Sequence, residues 1–266
     1  MNETFVELRD AKLFLRRDGA GEPLLFLHGV QGLPGWTEAL ARLAERFTVI
    51  APDHPGFGRS EAPEAIDDVD DLAYFYLDLL AKLADGRVHV VGHSLGGWIA
   101  MAMAIRTTAQ IQSLTLVDAA GISVPGVRRG DMFIGSAAET GKLLFAGEEA
   151  ASHWSALWQA SEEMKETYDK NRAAAAKYTW QPRLYDPRLA KWLHRIDVPV
   201  HIIWGEADWL IPPAHAEALQ QQIGQGGAAL TMLPGVGHLC DIEAPARFAE
   251  AVAPFIAGLS AQGRQP

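Results

Sequence analysis

Cysteine is almost missing from this chain, with Cys240 the only one among 266 residues. A lone thiol excludes an internal disulfide framework and fits a reducing compartment, so a cytoplasmic location is expected. Cations are also in deficit, 23 Lys and Arg against 33 Asp and Glu, a formal net charge of −10. Phosphate recognition needs clustered Lys and Arg, so no nucleic-acid partner is expected. The one basic pair, Arg128-Arg129, reads as a solvated loop. The opening residues Met1-Asn2-Glu3-Thr4-Phe5-Val6-Glu7 carry neither the basic head nor the apolar core of a secretory signal. Apolar runs stop short of the ~18 residues that a membrane span needs. No H-E-x-x-H or comparable ligand spacing occurs, so neither metal nor cofactor is expected.

What is present is the makeup of a globular α/β protein. Residues are 48% hydrophobic and 21% charged, enough for a sizeable core. Short, one-sided stretches at 5–9 and 11–16 read as an opening hairpin, followed by strands at 24–27 and 48–51. Helical spacing marks 36–47, through Leu40, Leu43 and Phe47, and a stripe at Leu72, Tyr76, Leu79 and Leu83. Asp67, Asp68, Asp70 and Asp71 set an acidic amino end on that second helix. Further strands are expected at 114–117, 200–204 and 230–233, with helices at 212–223 and 241–259. Alternation of this kind implies right-handed crossovers and a mainly parallel sheet covered on both faces.

Between 122 and 195 the alternation stops. The segment holds Trp154, Trp158, Tyr168, Tyr178, Trp180, Tyr185 and Trp192 but no strand pattern. Ala151, Trp154, Leu157, Trp158 and Ser161 share a helix face, and 173–176 is helix-forming. It reads as a helical lid at 122–195 inserted into a core made of 1–121 and 196–266. Most of its aromatics are expected to anchor the lid's own small core.

The chemistry concentrates at the valine-rich run 88–91, which ends in Gly92-His93-Ser94-Leu95-Gly96 and continues into an uninterrupted helical stretch. Strand, G-x-S-x-G and helix in that order is the setting of a nucleophile elbow. Ser94 then stands at the carboxyl end of a strand and the amino end of a helix, where the Leu95 N–H and the helix dipole favour a developing oxyanion. Taken alone the motif is equally a Gly-rich turn with an incidental serine. A serine nucleophile also needs a base, and the base a carboxylate. His238 follows the last strand, while Asp208 and Asp118 follow the two strands before it.

Four motifs in order carry a family likeness: His28-Gly29, the Asp53-x-x-Gly56-x-Gly58-x-Ser60 loop, Gly92-x-Ser94-x-Gly96, and Gly205-x-x-Asp208 with Gly237-His238. Through them the chain resembles α/β-hydrolase-fold proteins over essentially its whole length. Its serine is similar to that of esterases, lactonases and C–C bond hydrolases; haloalkane dehalogenases and epoxide hydrolases put aspartate there. The resemblance implies Ser94 as nucleophile, His238 as general base and then acid, and Asp208, in preference to Asp118, as orienter. It implies an oxyanion hole from the N–H groups of Leu95 and Val30, with Gln31 the alternative second donor. His28 is expected to be structural, His54 to line the pocket, Asp53 to tie down its Gly-rich turn and Cys240 to be a packed thiol. Gly56 and Gly58 lack the rest of a dinucleotide fingerprint. Gln31, His93, Trp154 and Trp158 are the candidate substrate-binding residues. The expected partner is a small to medium carboxylic ester. Lactones and vinylogous diketones are the alternatives, though the proline usual in C–C hydrolases after the second oxyanion-loop glycine is here Leu33. Some proteins of this fold are small-molecule receptors, an alternative that fold alone leaves open.

Overall fold

A strand buried on both faces must be apolar at every position, whereas a half-exposed one alternates. The run PLLFL meets the first condition and VHVVGH meets it but for His89 and His93, and in the computed structural model they become the two central strands of one eight-stranded sheet. The structure describes residues 1–83, 86–134, 137–224 and 227–262. Its strands are β1 (Asn2–Leu8), β2 (Ala11–Asp18), β3 (Pro23–Leu27), β4 (Thr48–Pro52), β5 (Val88–His93), β6 (Ile111–Val117), β7 (Val200–Gly205) and β8 (Ala228–Leu233). They lie in the order β1-β2-β4-β3-β5-β6-β7-β8, antiparallel in the β1–β2 and β2–β4 pairs and parallel elsewhere.

Period-two geometry sorts the strand side chains between two layers. Leu24 and Phe26 face one layer with α1 (Glu38–Ala44) and α9 (Pro245–Gln262). Leu25 and Leu27 face the other, with α2 (Val69–Leu83) and α3 (Leu95–Arg106). Helix α3 is buried from Leu95 to Ala104, as a helix apolar all round must be. Helix α7 (Ala214–Gln222) connects β7 to β8, and α8 (Cys240–Glu243) follows β8. The single helix expected at 241–259 is therefore two. Pro245 explains the break: it disfavours the helical region for its predecessor, and Ala244 sits at φ −137°, ψ 57°.

From β3 the chain crosses outward to β4, then returns past β3 to β5 and continues the other way. Loops leaving β3 and β5 diverge at this switch point, which opens a crevice at the carboxyl ends of those strands. Between β6 and β7 the chain forms α4 (Ala137–Leu144), α5 (Glu148–Trp158) and α6 (Glu162–Thr179), then two 3₁₀ turns at Leu189–Lys191 and Leu193–Arg195. Ser161 does not share the α5 face. It caps α6 by accepting from Met164 N–H at 3.2 Å, the position serine favours over a helix interior. Among the described residues no helix is long and apolar enough to cross a membrane.

Candidate active site

Ser94 follows β5 in a backbone conformation few side chains adopt, φ 50° and ψ −111°. Such a residue costs on the order of 1–3 kcal/mol and persists only when its surroundings enforce it. Here the enforcement is a turn with no spare volume. A Cβ on Gly96 would lie 2.0 Å from the Leu27 carbonyl oxygen, and one on Gly92 2.4 Å from that of Gly96. Ser94 N–H donates to Val117 O at 2.8 Å and Gly96 N–H to His28 O at 3.1 Å, so the corner is pinned on both sides of Leu95.

His238 and Asp208, from the loops after β8 and β7, meet Ser94. His238 Nε2 lies 2.9 Å from Ser94 Oγ, and its Nδ1 lies 2.8 Å from Asp208 Oδ2. All three residues are 1% exposed. A carboxylate acceptor fixes the proton on Nδ1, leaving Nε2 to accept from the serine hydroxyl. Asp208 also acts as the local backbone cap that its place before Pro212 foreshadows, because Oδ1 accepts from Leu210 and Ile211 N–H, both at 2.8 Å. One oxygen anchors the carboxylate and the other aims at the imidazole.

The competing Asp118 is close but differently engaged. Its Oδ1 accepts from Gly205 N–H at 2.8 Å. Burial, and then the Asp208 charge, push its carboxyl well above the usual range. Among the described residues, Asp118, Asp208 and His238 bring three ligand-type atoms within 4.8 Å of one another. Two of these groups are bonded to each other and the third to backbone, a hydrogen-bonded set rather than an open cation cage. Cys240 is buried, and burial raises its thiol well above the usual range, the opposite of an activated nucleophile.

The loop after β3 lies against the serine: a Cβ on Gly29 would be 3.2 Å from Ser94 Cβ. His28 donates from Nδ1 to Gly29 O at 2.7 Å and accepts at Nε2 from His54 N–H at 3.0 Å, so it braces the loop. His54 does not line a pocket. It is fully buried, bonded through Nε2 to His28 O at 2.8 Å and through Nδ1 to the Tyr76 hydroxyl, which leaves its ring no free face toward substrate. Asp53 ties its Gly-rich turn, accepting from Arg16 at 2.7 Å and from Arg59 N–H at 2.9 Å. Arg129 is no solvated loop residue: it donates to the Leu184 and Arg183 carbonyls, each at 3.0 Å, and covers the Tyr185 ring. Leu184 O also accepts from Gly121 N–H at 3.1 Å, so Arg129 joins a carbonyl already in use; Arg128 stays exposed.

Of the candidate binding residues, Gln31, His93 and Trp154 border one small pocket beside the β3 loop. The buried Gln31 carboxamide has no partner at either Oε1 or Nε2. His93 instead donates from Nε2 to the His238 carbonyl at 2.9 Å, which steadies the histidine loop. Trp158 is not on this pocket. It lies behind Trp154, ring centroids 5.7 Å apart.

Two positioning side chains had escaped the sequence reading. Asn171, 1% exposed on α6, donates to Gln31 O at 2.9 Å and accepts from Gly58 N–H at 2.8 Å, bridging two loops. Gly32, at φ +79°, admits it, since a Cβ there would sit 2.2 Å from the Asn171 amide nitrogen. The available signal was an amide in the interior of a helix, where asparagine is a poor helix former. Glu243 accepts from Gly237, Ala146 and Gly147 N–H, fastening the start of α5 to the histidine loop. Nothing in its local pattern marks it.

An imidazole held by a carboxylate and facing the hydroxyl at a strained strand-to-helix turn defines a nucleophile–base–acid class of site. The family model described as the alpha/beta hydrolase fold matches residues 22–245, and the chain belongs to that family. It is 31% identical to 2-hydroxymuconate semialdehyde hydrolase of Pseudomonas sp. (strain CF600), covering 91% of this chain and 89% of that protein. It is 29% identical to Lipase 1 of Psychrobacter immobilis, over 91% of this chain and 79% of the other. A thermophilic esterase from Thermogutta terrifontis has the same fold, with a TM-score of 0.78 at 23% identity, covering 97% of this chain and 99% of that one.

Proposed function

We propose that this protein is a serine hydrolase of small to medium carboxylic esters, working through an acyl-enzyme on Ser94. The observation that carries the reading is the buried Ser94–His238–Asp208 chain, with contacts of 2.9 and 2.8 Å. Ser94 Oγ attacks the ester carbonyl as its proton passes to His238 Nε2. The Leu95 and Val30 N–H groups receive the oxyanion, and Asp208 stabilises the imidazolium. His238 returns the proton to the leaving alcohol, then draws a proton from water so that water releases the acid. The helices of 122–195 form the lid that excludes bulk solvent and supplies the acyl pocket, with Gln31, His93 and Trp154 at its floor. The lone buried cysteine suits a reducing, cytoplasmic setting.

A C–C bond hydrolase on the same residues is the second reading, favoured by the name of the 31%-identical relative. Turnover of p-nitrophenyl esters, fluorophosphonate labelling at Ser94 and their loss in Ser94→Ala test the first reading. Labelling at Cys240 or at another serine refutes it. Faster cleavage of a vinylogous diketone than of any ester selects the second. A receptor would give at most a single-turnover burst.

A further inference from the structure

The residues on either side of His238 are tied to the turn between α4 and α5, one directly and one through Glu243. Leu239 N–H donates to Leu144 O at 3.0 Å, at the end of α4. Glu243 Oε2 accepts from Gly237 N–H at 2.7 Å. Its Oε1 accepts from Gly147 N–H at 3.0 Å and Ala146 N–H at 3.1 Å, at the start of α5. The two chains touch closely at this point. A Cβ on Gly237 would lie 2.7 Å from Phe145 Cα and 2.8 Å from Leu144 O and Ala146 N, so glycine is what lets 144–147 approach.

Helix α5 has no cap of its own at this end. Its N-cap is Gly147, which has no side chain to accept from the helix. Ala150 stands at the third helical position, where a glutamate would reach back to the Gly147 amide. Glu243 takes that place from α8, and a carboxylate suits a helix amino end. One oxygen thus completes α5 while the other fixes the residue before His238. The carbonyl of His238 is held separately, by His93 Nε2 at 2.9 Å.

We propose that Glu243 is a positioning residue of the reaction, setting the reach of the His238 ring to Ser94 Oγ and making it depend on the docking of α5. The assignment rests on the hydrolase reading of Ser94. Glu243 touches no reacting atom and acts through the Gly237 amide. His238 keeps its contacts of 2.9 Å to Ser94 and 2.8 Å to Asp208 only while that amide is held. Whatever seats or lifts the start of α5 therefore sets or unsets the base.

Glu243→Gln is the test, because glutamine keeps one acceptor oxygen and turns an NH2 toward the N–H of the other chain. Fluorophosphonate titration of Ser94 to completion counts the competent molecules, so that rate is read per site. With p-nitrophenyl acetate, kcat per site should fall about ten- to a hundredfold, the scale of a misplaced catalytic group. KM should hardly change, because His238 serves acylation and deacylation alike. Amide exchange should quicken at 145–149 and 237–239 together. If Glu243→Gln does not fold, Glu243→Asp, which keeps both oxygens on a shorter stem, should show the same pattern at a few-fold loss. A purely structural cap would lose titratable sites and leave kcat per site unchanged, which overturns the proposal. Faster exchange at 145–149 with 237–239 unaltered overturns it too. In both cases continued turnover by wild type shows that the hydrolase reading stands. No turnover of any ester by wild type, with Ser94 unlabelled, shows that the hydrolase reading itself has failed, and the positioning role falls with it.

Discussion

Helices α5 and α6 meet the rest of the protein in opposite ways. Helix α6 reaches backbone: Asn171 holds Gln31 O and Gly58 N–H, Lys170 donates to Gly58 O at 2.6 Å and Ser60 O at 3.0 Å, and Tyr178 donates to Pro55 O at 3.1 Å. Helix α5 is anchored at its start by Glu243, and beyond that it presents the indoles of Trp154 and Trp158. Space surrounds it: a cavity of about 360 Å³ on one side, and a groove of about 840 Å³ running to Trp209 on the other. Hydrogen bonds fix a loop in direction and distance, while apolar contact is non-directional and tolerates exchange of occupant. The division teaches that α6 sets the geometry of the loops around Ser94; on the function proposed above, α5 sets what fits beside it. Changes on α6 should therefore cost rate uniformly, and changes on α5 should cost it selectively.

The largest effect expected defines what uniform means. Asp208→Asn should lower kcat by about 10³–10⁴-fold on every ester alike, through the wrong imidazole tautomer and an unstabilised cation. Asp118→Asn should do far less, because Asp118 is bonded to Gly205 N–H rather than to the imidazole. Initial rates over a series of acyl lengths check both. A larger loss from Asp118→Asn would move the acid to the end of β6.

Acid should loosen the α6 side first. Burial lowers His28 to about 3 and His54 well below its usual value, so the fold holds both neutral. Their folded pKa values lie below the unfolded ~6.5, so their stabilisation is whole above that pH and is lost as pH falls through it. The loss is about 1.4 kcal/mol per unit for each ring, or about 2 kcal/mol each at pH 5. The pair sits under Phe57, which stacks on Tyr178 of α6. Urea midpoints should drop between pH 7 and 5, and amide exchange should rise at 53–60 before it rises in α5. The reverse order of exchange would break the comparison.

How much of this was legible depends on whether a residue's meaning is local. The inner strands and the elbow were readable because burial on both faces forces apolar runs and a tight turn forces glycine, whereas β1, exposed along most of its length, was readable only from its one-sided pattern. The order of Ser94, Asp208 and His238 carried the family, and their meeting in space follows from the sheet topology. Asn171, Glu243 and the bracing role of His54 were not readable. Each depends on a partner loop distant in sequence, and a polar residue facing a distant carbonyl looks like one facing water. Ser161 and the break at Ala244 were local signals of capping and proline that helical periodicity overrode.

Asn171→Asp isolates the α6 clamp. The aspartate keeps an acceptor for Gly58 N–H but turns an oxygen toward Gln31 O, so one bond is lost and a repulsion replaces it. We expect kcat to fall about tenfold across all acyl lengths with little change in KM, and fluorophosphonate labelling of Ser94 to slow in step. A loss that grows with acyl length would make α6 a pocket wall and erase its difference from α5.

The smallest expected effect is the most diagnostic for α5. Each methylene buried is worth about 0.8 kcal/mol, so kcat/KM should rise roughly fourfold per CH2 until the pocket is full, then fall. Trp154 lines both the pocket at Gln31 and His93 and the cavity lined by Trp158, so on the function proposed above it separates them. Trp154→Ala removes that partition and should move the optimum to longer chains, raising the long-to-short ratio of kcat/KM a few-fold. The variant also loses packing against Phe145 and Trp158, and an aromatic truncated in a core costs about 3–5 kcal/mol of stability. The ratio between two esters on the same preparation is therefore the quantity to measure, since unfolding lowers both rates together. An unchanged ratio in Trp154→Ala would mean that α5 is a structural cover, and the distinction between a helix that positions and a helix that selects would fail at its weaker end.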